Sequence, residues 1–133
     1  MSGETDLQKL LAQMEPQLHE KEYVFVHVNK TLPIKFEEIQ GMFKEKEGTT
    51  LILKKELAED LKLDYDYVAS CITLAVHSSL EAVGLTAAFS TALANNNISC
   101  NVIAAYFHDH IFVDKHDATR AMEVLSTLSN ANN

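Results

Sequence analysis

Apolar positions along this chain follow two rhythms, one helical and one strand-like. Leu7, Leu10, Leu11 and Met14 recur at helical spacing behind Thr5-Asp6-Leu7-Gln8, which has the spacing of a capping box. That predicts a leading helix, stopped near Pro16 because proline lacks the N–H a helix needs. Tyr23–Val28 is aromatic and β-branched almost throughout, so it reads as a mostly buried strand. After Pro33 a short linker leads to Gln40–Lys46 and Thr49–Leu53. These flank Glu47-Gly48 and predict a hairpin with glycine in its turn. Lys55–Leu63 then places Leu57, Ala58 and Leu61 on one face of a short helix.

The second half repeats this grammar more fully. Cys71–Val76 reads as a strand with Ile72, Leu74 and Val76 on one face. Leu85, Ala88, Phe89, Ala92 and Leu93 trace an amphipathic helix closed by Asn95-Asn96-Asn97, asparagine being tolerant of the left-handed cap. Ile98–Phe107 and Ile111–Val113 predict a second hairpin. Ala118, Ala121, Met122, Leu125 and Leu128 stripe a last helix.

An offset of 60 lays Thr50–Lys55 on His110–Lys115 and Ala58 on Ala118, whereas the strands Tyr23–Val28 and Cys71–Val76 match at an offset of 48. The difference of 12 residues is about the length of one short helix. The chain therefore reads as two copies of one module, the first without its first helix. The linker Asn29–Ile39 stands where the second copy carries Gly84–Asn95. Strand, helix, hairpin, helix is most of a ferredoxin-like α+β layer, an antiparallel sheet with helices on one face. The missing last strand is expected from Tyr65–Ser70 or by exchange between the halves. Residues 1–64 are read as a degenerate first module with a leading helix, and residues 65–133 as the complete second one.

Composition narrows the partners. A net charge of −8 over 133 residues disfavours a nucleic-acid backbone or an anionic membrane surface, both of which call for clustered Lys and Arg. The polar start Met1–Asp6 does not read as a secretion signal, and no apolar run is long enough to span a bilayer. Cys71 and Cys100 lie in strand-like runs without a CxxC, as reduced thiols of a cytoplasmic protein would.

The run from Ile72 through Leu80-Glu81-Ala82-Val83-Gly84-Leu85 to Ile98–Ile103 resembles an ACT domain: a strand, a loop closed by Gly-Leu at a helix start, and a second strand after an asparagine-rich turn. The whole chain is similar to a bacterial family of tandem ACT-like proteins, in which a degenerate first module carries a run like Phe43–Leu53 and the second a run like Ile103–Val113. A homodimer or larger homo-oligomer with no cofactor and no enzyme activity is expected, and the resemblance implies a regulatory, amino-acid-binding fold. It also implies a ligand site in the loop after the module's first strand. The chain departs from the pattern at Val83, where an acidic residue or asparagine usually precedes the loop glycine.

The ligand-binding candidates are Ser78, Ser79, Leu80, Glu81, Val83, Gly84 and Leu85, joined by Tyr106 and Asp109. A helix start offers unpaired N–H groups and partial positive charge to a carboxylate, glycine allows close approach, and Glu81 could receive an amino group. Against this, Ser78-x-x-Glu81 has capping-box spacing and would consume the same donors. His108 and His110 fall on one side of a strand, like half of a zinc site, but Asp109 between them suits a polar turn. No metal is assigned there. With no GxSxG, P-loop or GxGxxG, no catalytic residue is assigned either. Two functions remain open: a small-molecule-binding regulator, and an adaptor that keeps the fold without a pocket.

Overall fold

The computed structural model describes residues 6–76 and 83–132. The chain forms α1 (Leu7–Gln13), β1 (Pro16–Val28), β2 (Gly41–Glu45), β3 (Gly48–Lys54), α2 (Lys55–Asp60), β4 (Val68–Leu74), α3 (Leu85–Ala94), β5 (Asn101–Ala104), β6 (Asp109–Asp114) and α4 (Ala118–Asn130). It divides into two compact units, Glu20–Ala69 and the pair of segments Met1–His19 and Ser70–Asn133, so β1 and β4 each contribute to both.

Within Glu20–Ala69 the strand order is β2-β3-β1, with both pairings antiparallel. One face carries Val24, Val26, Leu51 and Leu53, buried together with Ala58 of α2. Only a 3-10 turn at Phe36–Glu38 occupies the linker, in keeping with a lost helix. The turn of the β2–β3 hairpin ends at Gly48, whose φ of +146° suits glycine. Helix α2 is shorter than expected, because Lys62 turns left-handed (φ 57°) just beyond it.

In the other unit the order is β1-β4-β6-β5, the start of β1 being the strand beside β4. Exchange between the halves thus supplies the strand that the second module lacks. Helices α1, α3 and α4 pack on one face, where Leu10, Phe89, Leu93 and Leu125 meet Ile72, Leu74, Ile111 and Val113. The leading helix, grouped by sequence with the first module, belongs to this core. Its cap is Asp6, whose Oδ1 accepts the Lys9 N–H at 3.1 Å, rather than Thr5, which lies outside the described residues. Helix α3 ends as the asparagines imply, with Asn97 left-handed at φ 58° and the Ile98 N–H donating to Leu93 O. The expected strand Ile98–Phe107 is only Asn101–Ala104, since the chain turns where the Ala105 N–H donates to His108 O.

The repeat extends to the hydrogen-bond register. Gly41 pairs with Ile52 and Met42 with Leu51; 60 residues on, Asn101 pairs with Phe112 and Val102 with Ile111. Burial follows the same offsets, Leu53 matching Val113 at 60 and Val24 matching Ile72 at 48, all fully buried.

Candidate functional site

The loop after β4 was the first expected site. Ser78, Ser79, Leu80 and Glu81 lie outside the described residues, and the chain resumes at Val83, which is strongly exposed. Gly84 is the N-cap of α3, left-handed at φ 97°. With no side chain it cannot cap the helix, and with the cap at Gly84 the spacing Ser78-x-x-Glu81 falls too early to be this helix's capping box. A Cβ on Gly84 would meet Leu7 Cδ2 at 3.0 Å, so α1 lies hard against the head of α3. Leu85 turns into the core.

The turn of the β5–β6 hairpin reaches the same end of β4, where His108 Nδ1 donates to Val76 O at 3.4 Å. Tyr106 is exposed and meets Phe107 edge-on, ring centroids 4.9 Å apart. Asp109 is not in the turn: it opens β6 opposite Ala104 and is buried. Burial raises its carboxyl above the usual range, and nearby His108 opposes the rise.

His110 meets other partners on the sheet. By strand alternation His19, Cys71, Thr73 and His110 lie on the sheet face opposite the helices, from β1, β4 and β6. Thr73 Oγ1 stands 2.6 Å from His19 Nε2 and 2.8 Å from His110 Nδ1, hydrogen-bonded to both rings. One donor atom from each of His19, Cys71 and His110 falls within 4.8 Å of the other two. Burial, then His108 and His19, lower the His110 pKa, and burial pushes the Cys71 thiol up to about 12. Burial also raises the Cys100 thiol, against a hydrogen bond with Ser90 that lowers it. Neither thiol is poised as a nucleophile. His116 stands apart, exposed and 2.9 Å from Asp114.

The first module holds a cavity of about 720 Å³, the size of a small-molecule site. Val28, Leu32, Ile39 and Leu51 supply apolar walls, and Lys30, Lys44 and Lys46 with Glu45 and Glu47 supply charge of both signs. It lies under the linker that replaces the lost helix. Only the missing 12 residues could have signalled it in the sequence.

Comparisons with known proteins fix what this frame is. One ACT-domain profile matches residues 2–70, and a second matches residues 67–127. The chain belongs to the ACT domain family. Among solved structures, this tandem ACT protein is 47% identical to VC0802 of Vibrio cholerae, a protein of unknown function described as a possible transport protein. That match covers 92% of this chain and 95% of that one, with a TM-score of 0.83. Atu0741 of Agobacterium tumefaciens is 13% identical over 88% of this chain and 90% of that one, TM-score 0.71. The regulatory subunit of aspartate kinase from Thermus thermophilus is 7% identical over 85% and 95%, TM-score 0.62, a likeness of fold. The comparison with curated proteins finds no relative. Among the described residues no helix is long and apolar enough to cross a membrane.

Proposed function

We propose that this tandem ACT protein is a regulator or sensor that binds a small molecule, an amino acid, at the head of α3. The observation that carries the reading is Gly84. It starts α3 in a left-handed conformation without a side chain, leaving the first N–H groups of a ten-residue helix free of a cap from that position. A ligand carboxylate suits those donors. The residues assigned to the ligand are Ser78, Ser79, Leu80 and Glu81 from the loop before Gly84, with Val83, Leu85, Tyr106 and Asp109. Membership of the ACT family and the fold shared with the regulatory subunit of an aspartate kinase support the same role. On this reading the protein is a cytoplasmic, non-catalytic homo-oligomer that binds neither nucleic acid nor membrane. The ligand acts by binding one of two states more tightly.

The test is a thermal-shift screen of purified protein against the common amino acids at millimolar concentration. A ligand at 100 times its Kd stabilises the fold by about 2.7 kcal/mol, which raises the melting midpoint by several degrees. A selective rise, lost in G84A while the variant still melts cooperatively, supports the site. A cooperative melt that no amino acid shifts refutes it. The adaptor reading would then stand, favoured by the exposed Phe36 and Phe43, at 86% and 71% accessibility.

A further inference from the structure

The structure assigns a zinc site to His19, Cys71 and His110, on the sheet face opposite the helices. Three strands distant in sequence each bring one residue of a metal-binding type, and their donor atoms converge within 4.8 Å. Tetrahedral zinc bonds thiolate sulfur at about 2.3 Å and imidazole nitrogen at about 2.0–2.1 Å, which sets neighbouring donors roughly 3.3–3.7 Å apart. The cluster therefore needs a contraction of about 1 Å, within reach of a side-chain adjustment. The parts are suited to that step. Cys71 is buried on β4, His110 is half-buried, and His19 is exposed, so the solvent-facing ring is the one with room to adjust. The Thr73 hydroxyl, 2.6 Å from His19 Nε2 and 2.8 Å from His110 Nδ1, holds the two rings close to each other beside Cys71; a metal taking those nitrogens displaces these hydrogen bonds.

Chemistry points the same way. One thiolate and two neutral imidazoles suit zinc better than calcium or magnesium, which take oxygen donors. The Cys71 thiol has no hydrogen-bond partner among the described residues. Binding replaces its proton with the metal and releases that proton to solvent. Three protein ligands leave the fourth position for water or a small anion, reached from the exposed His19 side. This site is separate from the loop at the head of α3, so neither reading depends on the other.

The test uses full-length protein, stripped with chelator and titrated with Co²⁺ as a spectroscopic stand-in for zinc. One equivalent of Co²⁺ is expected to give visible tetrahedral bands and a near-ultraviolet thiolate-to-cobalt charge-transfer band, both abolished by one equivalent of Zn²⁺. C71S should remove the charge-transfer band, and H19Q and H110Q should weaken binding about tenfold or more. H108Q should leave the spectrum unchanged, because His108 lies outside the cluster. H19Q alters an exposed residue, so it keeps the test decisive if C71S fails to fold. Absence of a charge-transfer band at one equivalent overturns the proposal. So does a spectrum that survives unchanged in H19Q.

Discussion

Replacing Gly48 with alanine isolates a backbone conformation from everything else in the first hairpin. Gly48 closes the turn between β2 and β3 at φ +146°, where an L residue is strained by roughly 1–3 kcal/mol. The added methyl would also clash with His27 Nε2 and lie 2.9 Å from Val28 O. The imidazole can move aside, but only by giving up its 2.8 Å hydrogen bond to Glu47 O, worth about 0.5–1.5 kcal/mol. The Val28 carbonyl is backbone and can yield only if the strand shifts. Against these costs, alanine reduces the freedom of the unfolded chain by about 0.4–1 kcal/mol. The sum is a destabilisation of about 2 kcal/mol, or about 6–8 °C in Tm at this chain length.

Urea denaturation of wild type, G48A, H27A and H27A/G48A separates the contributions. If the reasoning holds, G48A costs about 1 kcal/mol less in the H27A background, because the hydrogen bond is already gone, and the backbone strain persists. A G48A variant within about 0.5 kcal/mol of wild type would show that the turn relaxes freely and refute the argument. A cost that vanishes completely in H27A would leave the clash with the ring and remove the strain from the account.

Asp114 accepts the His116 N–H at 2.8 Å, and this bond is the first cause of its lowered carboxyl pKa. A depressed folded-state pKa means stability that is present above the unfolded value and lost as pH falls through the folded one. D114A is therefore expected to melt below wild type at neutral pH, with the gap closing in acid; a gap independent of pH from 7 down to about 3 contradicts this. Native-state hydrogen exchange is expected to find the amides of β2, an edge strand with four of its five residues exposed, opening before those of β6. Equal protection in the two strands would count against core burial as the cause.

Much of the fold was legible because the repeat has a fixed register. Leu51 and Leu53 on β3 predict the burial of Ile111 and Val113 on β6, and the Asn95–Asn97 run predicts the left-handed end of α3. The first half of β1 was not legible. From Gln17 to Glu22 the strand is polar except for the exposed Leu18, held by main-chain pairing that leaves no hydrophobic alternation to read. His19 was hidden with it, so its meeting with Cys71 and His110 had no spacing that could announce it. Asp109 misled because aspartate favours turns, whereas here the turn ends one residue earlier and the carboxyl is buried.

The two modules share a sheet plan and differ in the layer laid on it, and that difference sorts the candidate chemistry. In the second module α3 and α4 seal the helical face with a close-packed core. Function there has to work at the ends of elements, at the head of α3, or on the opposite face, where the histidines and Cys71 gather. In the first module a short α2 and a linker cover the matching face, and the space under the linker stays open, with three lysines and two glutamates at its walls. Loss of a helix from one copy therefore did more than shorten it. Where the copies agree, in hairpin register and inward-facing residues, the constraint is packing; where they part, each half acquired its own surface on which binding can occur.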